Sequence, residues 1–462
     1  MNKEKIEKFD SIVIGSGQGG NPLVFELSSN NENVALIEER NIGGSCINVG
    51  CTPSKTLIES ANLFNRIKDS SDLGIDIEDY ELNFNQVINR KNSIVKAFRE
   101  HIKKEIKNNK NIDLYMGKAS FIDNKKIKVS LNNGEEKTLK ADKIFINAGT
   151  SPRVIPIEGI KEIPYLNSTT IMDIDELPRH LIIIGTGYIG IEFAQMFRRF
   201  GSEVSVIGRS ENIMKREDED VSSTIQSILE DEGIRFYLES DTKKVSKKDE
   251  GIEVKIEKKD KKKTIKGSHL LLAVGQKPNT KDLELENTDI EVNNKGYIIE
   301  NNKLETNVEG VYVLGDIKGG PKFTHIAYDD FRVIRDNLIS SKNRDIKDRL
   351  IPYTLFTDPQ LGRIGMTERE AKEQGYNYKV SKIDMSKEGR TIEVGKTRGF
   401  MKVIINEDNN QILGASILSY QGGEVMAMIE IAMMGHLPYQ SLREGIFSHP
   451  TLSESLNNLF DI

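Results

Sequence analysis

The sequence predicts an α/β protein built on two parallel βαβ units, followed by a separate α+β domain. Three observations support this prediction. An apolar strand runs into a glycine turn twice, in "SIVIGSGQGG" (11–20) and in "LIIIGTGYIG" (181–190). A second apolar strand follows each turn, in "NVALIE" (33–38) and in "EVSVIG" (203–208). After about residue 346 the pattern changes to paired strands and apolar helices.

Length and composition narrow the class of protein. A chain of 462 residues divides into roughly two to four domains. A net charge of -6 argues against nucleic acid or an anionic membrane as the main partner. "MNKEKIEKFD" lacks the apolar stretch of a signal peptide, and no apolar run approaches the roughly 18 residues of a membrane span. We therefore expect a soluble, cytoplasmic protein.

The two glycine turns are in register at a constant offset of 170 residues. In G-x-G-x-x-G, the first glycine permits a tight turn and the second lets the backbone approach a pyrophosphate. The third allows close helix–strand packing. The pyrophosphate rests on the helix N-terminus, where unpaired N–H groups favour negative charge. One such pattern is weak, but two with both strands in place predict two dinucleotide sites. The glycines are Gly15, Gly17 and Gly20, then Gly185, Gly187 and Gly190.

The residue that closes the second strand differs between the units. Glu38 stands 18 residues after Gly20 and can accept hydrogen bonds from a ribose diol. The equivalent position after Gly190 is Gly208, followed by Arg209. The absence of an acid at Gly208 and the guanidinium of Arg209 favour binding of a ribose 2′-phosphate. The second unit is thus predicted to bind NADPH, with NADH as the alternative if Arg209 only faces solvent.

Further apolar strands are predicted where the chain returns from each nucleotide-binding domain. "KIFINAG" precedes Pro152, "HLLLAVG" precedes Pro278, and "GVYVLGD" closes on Gly315 and Asp316. Boundaries are expected near residues 150, 275 and 345. The predicted domains are a first nucleotide-binding part (1–150), a second nucleotide-binding domain (151–275), the remainder of the first (276–345) and the C-terminal α+β domain (346–462).

The C-terminal region contains signals for local structure. Thr367 and Glu370 form a capping box, and "GFMKVIINEDNNQILGASILS" predicts two strands around a turn. The methionine-rich run 426–434 could be a soft metal site, but such residues on an apolar helix usually fill a core or an interface. The basic run 258–266 has acidic neighbours, which indicates a solvated hairpin.

Cys46 and Cys51 are the only cysteines, with four residues between them in a glycine-rich loop. A zinc site usually needs four ligands, and the six histidines are scattered, so no metal site is expected. A structural bridge across so short a loop adds little stability and is rare in the cytoplasm. A redox dithiol beside a nucleotide cofactor fits best. A flavin in the first site would accept hydride and could reduce the resulting disulfide.

Taken together, "GGSCINVGCTPSK" (43–55), the two glycine turns, "GVYVLGD" (310–316) and "HPTLSE" (449–454) resemble the flavin-dependent pyridine nucleotide–disulfide oxidoreductases. The resemblance covers nearly the whole chain, in order. It implies two Rossmann-like domains, for FAD (1–150 and 276–345) and for NAD(P) (151–275). It also implies that 346–462 is the dimerisation domain of an obligate homodimer.

The resemblance also implies catalytic roles. Cys46 would be the interchange thiol that meets substrate, and Cys51 the charge-transfer thiol beside the flavin. Lys55 would lie near flavin N5 and pair with Glu192. His449, supplied by the partner subunit and oriented by Glu454, would act as acid–base on Cys46.

Cofactor contacts are implied in the same way. Tyr188 would cover the nicotinamide pocket, and Asp316 would bind the ribityl or phosphate region of the flavin. The expected FAD contacts are Gly15, Gly17, Gly20, Glu38, Gly44, Lys55, Gly149, Gly315 and Asp316. The expected NADP contacts are Gly185, Gly187, Tyr188, Gly190, Arg209 and Gly275.

Within the family, the C-terminal sequence most resembles mercuric reductase-like flavoproteins, some of which reduce hypothiocyanous acid. Because no cysteine follows Cys51, mercuric reduction itself is not expected. The expected acceptor is a small oxidised molecule, such as a reactive oxidant or a metal ion. Dihydrolipoamide dehydrogenase is the alternative enzyme, although it usually carries an acid where Gly208 stands. A flavoprotein that only senses NADPH is the alternative from another class.

Overall fold

The computed structural model describes residues 6–248 and 251–462. Residues 1–5, which belong to the stretch without signal-peptide character, and Asp249 and Glu250 beside the basic run lie outside this part of the chain. The chain divides into two compact units. The first holds residues up to Ser54, Ile88–Arg153 and Gln276–Arg349, and the second holds Lys55–Val87, Val154–Gly275 and Leu350–Ile462.

The strands follow in chain order. The early strands are β1 (Ile6–Ile14), β2 (Val34–Glu38), β3 (Ile112–Asp123), β4 (Lys126–Leu131), β5 (Glu136–Ile146) and β6 (Thr150–Pro152). The middle strands are β7 (Leu166–Asn167), β8 (His180–Ile184), β9 (Glu203–Ile207), β10 (Arg235–Tyr237), β11 (Asp241–Lys248), β12 (Gly251–Lys258), β13 (Lys261–Gly267), β14 (His269–Leu272) and β15 (Gln276–Pro278). The late strands are β16 (Val311–Val313), β17 (Tyr353–Leu355), β18 (Gln360–Gly365), β19 (Tyr378–Asp384), β20 (Phe400–Asn406) and β21 (Ile412–Ser419).

The α-helices include two that begin within the predicted glycine turns. They are α1 (Gly20–Ser29), α2 (Gly44–Val49), α3 (Cys51–Lys68), α4 (Phe84–Asn108), α5 (Tyr188–Phe200) and α6 (Glu219–Asp231). The remainder are α7 (Thr324–Leu338), α8 (Glu368–Glu373), α9 (Gly389–Glu393), α10 (Gly422–Met434), α11 (Gln440–Arg443) and α12 (Ser455–Leu459). No helix in the described part of the chain is both long enough and apolar enough to span a bilayer.

The first unit is organised around a largely parallel sheet. Strands β3, β2, β1, β5 and β16 pair in parallel in that order, and β4 pairs antiparallel with β3 and β5. Side chains alternate across the sheet, so Ile12 and Ile14 enter one apolar cluster while Val13 enters another. Burial on both faces explains why these strands read as continuous apolar runs.

The second unit contains a parallel sheet and two antiparallel sheets. The parallel sheet has the order β10-β9-β8-β14-β7. Strands β11, β12 and β13 form an antiparallel sheet, and the basic run forms the predicted β12–β13 hairpin. The C-terminal region forms an antiparallel sheet of order β17-β18-β21-β20-β19, and the predicted capping box of Thr367 and Glu370 begins α8.

The first unit combines most of two of the predicted segments (1–150 and 276–345), and the second unit combines the other two (151–275 and 346–462). Residues 276–349 join the first unit, where β16 pairs with β5 and β15 with β6. Residues 55–87, which were predicted within 1–150, belong to the second unit. Their side chains contact α5: the rings of Phe84 and Phe200 are 5.7 Å apart, and Arg199 donates to Asn62 at 2.6 Å. These tertiary contacts could not be inferred from local sequence.

A buried arginine links several elements of the second unit. The Arg199 side chain is 1 % exposed and forms salt bridges to Glu232 (2.8 Å) and Asp358 (3.0 Å). Lys396 also reaches Asp358, at 2.9 Å. Because a buried charge without a partner is costly, this network holds the C-terminal segments that carry Asp358 and Lys396 against α5.

Candidate functional site

The cysteine pair lies where two helical segments meet. Cys46 is in α2, Cys51 is the first residue of α3, and Gly50 lies directly before Cys51. The two side chains are hydrogen-bonded to each other, and no disulfide bond joins them in this structure. A Cβ atom at Gly50 would come within 2.8 Å of the Ser45 carbonyl oxygen, so a larger residue does not fit this turn. The fold therefore brings the two sulfur atoms together.

The Cys46 thiol resists ionisation. The hydrogen bond to Cys51, then burial, then the negative charge of Cys51 raise the pKa of Cys46 far above its ordinary value. The Thr324 hydroxyl lies 3.3 Å from the Cys51 sulfur, and a hydrogen bond from Thr324 opposes this rise. Cys46 is thus held as a thiol, and it needs a proton acceptor before it can act as a nucleophile.

The first glycine turn is tightly packed. Gly15 has φ +100°, and a Cβ atom there would lie 2.4 Å from the Asn147 carbonyl oxygen. Gly44, at the start of the cysteine loop, has φ +63°, and its Cβ would lie 2.5 Å from the Gly17 Cα atom. A Cβ at Gly20 would lie 2.1 Å from the Gly15 oxygen. No side chain covers the backbone at these glycines, so a pyrophosphate can approach it closely.

Glu38 is fixed beside this turn. Its Oε2 accepts hydrogen bonds from the Ser16 amide (3.0 Å) and hydroxyl (2.6 Å), and its Oε1 accepts from the Arg40 amide (2.9 Å). The Gly43 amide donates to the same Ser16 hydroxyl at 3.0 Å. The carboxylate is half-buried and keeps acceptor capacity for a ribose.

A buried polar side chain at this turn lacks a partner. Asn21 follows Gly20 in α1 and is 6 % exposed, yet neither its amide nitrogen nor its oxygen has a partner among the described residues. Buried amides normally form hydrogen bonds. These features fit a bound flavin dinucleotide: a glycine turn without side chains, an oriented Glu38 carboxylate and a buried amide without a partner.

Asn147 lies between the first glycine turn and Gly315, an expected flavin contact from later in the chain. Its Nδ2 donates to the Gly15 oxygen at 3.2 Å, and its Oδ1 lies 2.8 Å from where a Gly315 Cβ would be. Asp316 follows, and its Oδ2 accepts from the Thr150 hydroxyl at 3.2 Å. Burial raises the pKa of Asp316. Gly149 has φ +66° and lies one residue before Thr150.

Asn147 and Thr150 are additional residues of this site that the motifs do not identify. Both stand at the end of "KIFINAGT", directly after strand β5. A signal was nevertheless available, since polar residues directly after a buried parallel strand lie at the edge where ligands bind.

The second glycine turn repeats the geometry of the first. A Cβ at Gly185 would lie 2.3 Å from the Ala273 oxygen, and one at Gly190 would lie 2.4 Å from the Gly185 oxygen. Gly187 and Gly275 instead face open space, because a Cβ atom at either position would meet no described atom within 4 Å. The internal repeat in the sequence is therefore also a structural repeat, with room for a ligand beside Gly187.

The end of β9 cannot accommodate an acid without rearrangement. Gly208 is buried, and its Cβ would lie 2.5 Å from the Thr186 Cγ2 atom. Arg209 is exposed. Tyr188, the first residue of α5, donates its hydroxyl to Glu217 at 2.6 Å, a contact that the sequence does not indicate.

Lys55 and Glu192 form the expected pair. The Lys55 Nζ atom donates to Glu192 Oε2 at 2.7 Å, and the side chains are 30 % and 12 % exposed. The other Glu192 oxygen accepts from the Phe356 amide at 2.9 Å, and Lys55 Nζ lies 4.7 Å from the centre of the Phe356 ring. The lysine is therefore held by a carboxylate that is itself fixed.

His449 and Glu454 also lie together. The Nδ1 atom of His449 is 2.8 Å from Glu454 Oε2, and the His449 side chain is 77 % exposed. With Nδ1 engaged by the carboxylate, Nε2 is the nitrogen that can exchange a proton with a substrate or a thiol.

The methionine-rich helix α10 has a buried and an exposed face. Met426 and Ile429 are buried, whereas Ile431 and Met434 are 67 % and 65 % exposed. No group of three or more His, Cys, Asp or Glu side chains that could hold a metal ion occurs among the described residues. His325, which has no predicted role, stacks on Phe323 with ring centres 5.3 Å apart.

Family models match two consecutive regions of the chain. The pyridine nucleotide-disulphide oxidoreductase model matches residues 9–330, and the model of the dimerisation domain of this family matches residues 351–460. These regions include both glycine turns, both cysteines and the His449–Glu454 pair.

Curated relatives and solved structures agree with this match. The probable pyridine nucleotide-disulfide oxidoreductase RclA of Escherichia coli is 36% identical over 461 residues, covering 99% of this chain and 100% of the relative. A mercuric reductase of Staphylococcus aureus is 31% identical, covering 97% and 81%. The Cu(II) complex of the HOCl-induced flavoprotein disulfide reductase RclA from Escherichia coli superposes with a TM-score of 0.91 at 35% identity, covering 98% of this chain and 99% of that one.

These matches confirm the predicted fold class and resemblance. The family comprises FAD-dependent enzymes that use NAD(P)H and carry a redox-active disulfide centre. Its dimerisation domain supports a homodimer. The chain belongs to the pyridine nucleotide-disulphide oxidoreductases.

Proposed function

We propose that this protein passes electrons from NADPH, through FAD, to the Cys46–Cys51 pair and on to a small oxidised substrate. The observation that supports this most strongly is the pairing of the two thiols. Two hydrogen-bonded thiols can release two electrons and two protons by forming a disulfide, which matches the two-electron capacity of a nicotinamide.

The thiols have distinct roles in this proposal. Cys46, as a thiolate, attacks the electrophilic atom X of an oxidised substrate X–Y. The S–X bond forms while Y leaves with the electron pair of the X–Y bond. Cys51 then attacks the Cys46 sulfur, so the S–S bond forms and X leaves with the electron pair of the S–X bond. The substrate gains the two electrons that the dithiol loses, and the two thiol protons balance the products.

His449 is the proposed proton acceptor for Cys46. The raised pKa of Cys46 makes such an acceptor necessary. Glu454 orients the imidazole through Nδ1, which leaves Nε2 to accept the proton. In the proposed homodimer, His449 serves Cys46 of the partner subunit, and its 77 % exposure is consistent with presentation to a second copy.

Lys55 and Glu192 are proposed to position charge at the flavin. When bound, the flavin supplies the acceptor for hydride and the reductant for the disulfide. Glu192 holds the Lys55 ammonium in one place, and that fixed cation would stabilise negative charge that develops nearby. The first glycine turn, Glu38 and Asp316 would hold the rest of the dinucleotide.

We further propose that NADPH is preferred to NADH. Gly208 leaves no space for the acid that would repel a 2′-phosphate, and Arg209 is exposed beside it. Dihydrolipoamide dehydrogenase activity is the alternative, and the absence of this acid counts against it. A comparison of kcat/KM for the two nucleotides tests the preference, and a clear preference for NADH would contradict it.

The proposed substrate class is supported by the relatives. One is described as HOCl-induced and another as a mercuric reductase. With two cysteines in this sequence, a soft metal ion would have one thiol pair to bind. We propose a reactive oxidant such as hypothiocyanous acid, or a metal ion, as the acceptor, in the cytoplasm, where thiols stay reduced.

The test is a screen of NADPH consumption with hypothiocyanous acid, lipoamide, oxidised glutathione, Hg(II) and Cu(II). C46S provides the matched control, because it removes the interchange thiol and keeps Cys51. The screen should identify one acceptor whose reduction C46S abolishes, while oxidation of NADPH by quinones persists. Normal substrate reduction by C46S would contradict the proposal.

A further inference from the structure

A buried aspartate in the first unit is bound to the backbone of the turn that carries Asp316. Asp330 lies in α7, its side chain is 0 % exposed, and its Oδ2 accepts a hydrogen bond from the Gly315 amide at 2.8 Å. Gly315 has φ +74° and begins the short helical turn Gly315–Lys318. Because Gly315 directly precedes Asp316, Asp330 fixes the backbone from which the Asp316 side chain projects.

Two cations compensate the charge of Asp330. The Lys318 Nζ atom lies 3.5 Å from Asp330 Oδ2, and the Lys318 side chain is 3 % exposed. Arg349 Nη1 donates to Asp330 Oδ1 at 2.7 Å, and the Arg349 side chain is 13 % exposed. A buried charge without a partner is costly, so each of these groups needs the others. Asp330 therefore holds both the first residue of the turn, through its amide, and the last residue, through its ammonium group.

The Asp316 carboxyl group interacts with both members of the Lys318–Asp330 pair. Burial raises the pKa of Asp316, and the negative charge of Asp330 adds to this rise. The Thr150 hydroxyl, which donates to Asp316 Oδ2 at 3.2 Å, opposes the rise, as do the positive charges of Lys322 and Lys318. The pH at which Asp316 becomes protonated therefore depends on the balance between Lys318 and Asp330.

Two other charged groups contribute to the electrostatics of this turn. Lys322 Nζ donates to the Tyr297 hydroxyl at 2.6 Å and lies 4.9 Å from the centre of that ring. Glu300 is half-buried, and burial raises its pKa, while the charges of Lys318 and Arg349 oppose this rise. Lys318 is buried and Lys322 is only half-buried. Water therefore screens the charge of Lys318 less than that of Lys322.

We propose that Lys318 is a positioning residue that keeps the flavin contact Asp316 ionised, and that Asp330 holds Lys318 and the Gly315 amide in place for this role. This inference rests on the proposed function, in which Asp316 holds part of the FAD. A hydrogen bond to an ionised acceptor is roughly twice as strong as one to a neutral acceptor. Loss of the Lys318 charge should therefore favour protonation of Asp316 and weaken FAD binding, and loss of the Asp330 charge should disfavour this protonation.

The experiment measures the rate of FAD release from the holoenzyme, by flavin fluorescence, between about pH 5 and pH 8. Release should accelerate as the pH falls and Asp316 is protonated. In K318M the pH midpoint of this acceleration should rise by about one pH unit, as for loss of one nearby opposite charge, and K318R should keep the wild-type midpoint. D330N keeps an oxygen that can accept from the Gly315 amide, and its midpoint should fall. K402M is the control, because Lys402 is also buried, at 4 % exposed, but lies in the second unit. Its midpoint should match that of the wild type.

D316N separates this inference from the proposed function. D316N should release FAD faster than the wild type at pH 8, and adding K318M to D316N should change nothing further, because Lys318 acts through Asp316. An unchanged midpoint in K318M, or shifts of K318M and D330N in the same direction, would overturn the inference. Wild-type FAD release by D316N at every pH would instead contradict the proposed flavin contact itself. Thermal unfolding verifies that the compared proteins are folded, and if K318M does not fold, the direction of the D330N shift decides.

Discussion

The Nδ1 atom of His449 lies 2.8 Å from Glu454 Oε2, and this contact gives the imidazole a defined tautomer with Nε2 directed away from the carboxylate. We predict that E454Q lowers kcat/KM for the oxidised substrate about tenfold and H449Q about a hundredfold. Reduction of the flavin by NADPH should keep its rate, because this pair is proposed to act on Cys46. Stopped-flow measurement of each half-reaction separates the two effects.

Glu444 offers a matched control for that prediction. It lies in the same C-terminal segment and pairs with the adjacent Arg443, but its side chain is 69 % exposed. E444Q should leave both half-reactions unchanged. If E454Q slowed flavin reduction as much as substrate reduction, the assigned role of Glu454 would be wrong.

The Lys55–Glu192 pair should matter for both rate and stability. E192Q removes the charge that fixes Lys55, and a hydrogen bond between charged groups typically contributes about 1.5–3 kcal/mol, less here because Lys55 is partly exposed. We expect roughly tenfold slower flavin reduction by NADPH and a small decrease in the free energy of unfolding. Rapid kinetics and urea unfolding measure these quantities.

E203Q is the comparison for E192Q. Glu203 pairs with Arg235 in the same unit, but both side chains are more than half exposed. This variant should match the wild type in both measurements. An E192Q enzyme with wild-type flavin reduction would rule out a role for the pair in that step.

The first glycine turn allows a steric test of flavin binding. G44A would place a Cβ atom 2.5 Å from the Gly17 Cα atom, whereas G134A, also at positive φ, would meet no described atom within 4 Å. Both variants carry similar backbone strain. G44A should therefore lose most of its bound FAD, measured by absorbance after desalting, while G134A retains it. Equal flavin content in the two proteins would exclude Gly44 from the binding turn.

The Arg199 network predicts a pH dependence of stability. Burial opposes ionisation of Glu232 and Asp358. The charge and hydrogen bonds of Arg199, with those of Arg398 at Glu232 and of Lys396 at Asp358, outweigh burial and lower the pKa of both carboxyl groups. Carboxylates with lowered pKa stabilise the fold above their unfolded values of 4.5 and 3.8, and this stabilisation is lost as pH falls through the folded values. R199Q should cost about 3–5 kcal/mol at pH 7 and progressively less below about pH 4.5.

Urea unfolding between pH 3 and pH 7 measures this difference. If R199Q does not fold, K396Q tests the same network, because Lys396 is 25 % exposed and contacts Asp358 alone among these acids. Its effect should be smaller, with the same pH dependence. A difference from wild type that grows as the pH falls would contradict this explanation.

Much of the fold could be predicted because the decisive signals are local. The two glycine turns have fixed spacing, and each is flanked by strands that are apolar because they are buried on both faces. The Lys55–Glu192 contact is different in kind. Its residues are far apart in sequence, and only the resemblance to a family indicated that they meet.

The remaining features depend on tertiary contacts that spacing does not encode. Glu217 occurs in the charged run "KREDED", where it resembles a solvated residue, yet its side chain is fully buried against Arg363. Arg199 follows Arg198 in the last turn of α5, but the two differ in burial. Sequence alone could not distinguish these residues from less buried charged neighbours such as Arg216 and Arg198.

Transfer of electrons from NADPH through the flavin to Cys46 and Cys51 underlies the proposed function. Anaerobic addition of one equivalent of NADPH to the oxidised enzyme shows whether this transfer occurs. We predict a two-electron-reduced enzyme with a long-wavelength thiolate–flavin absorbance band and two newly titratable thiols, and we predict that C51S lacks the band. If the wild-type enzyme shows no such band and its two cysteines remain oxidised, the proposed electron path is wrong.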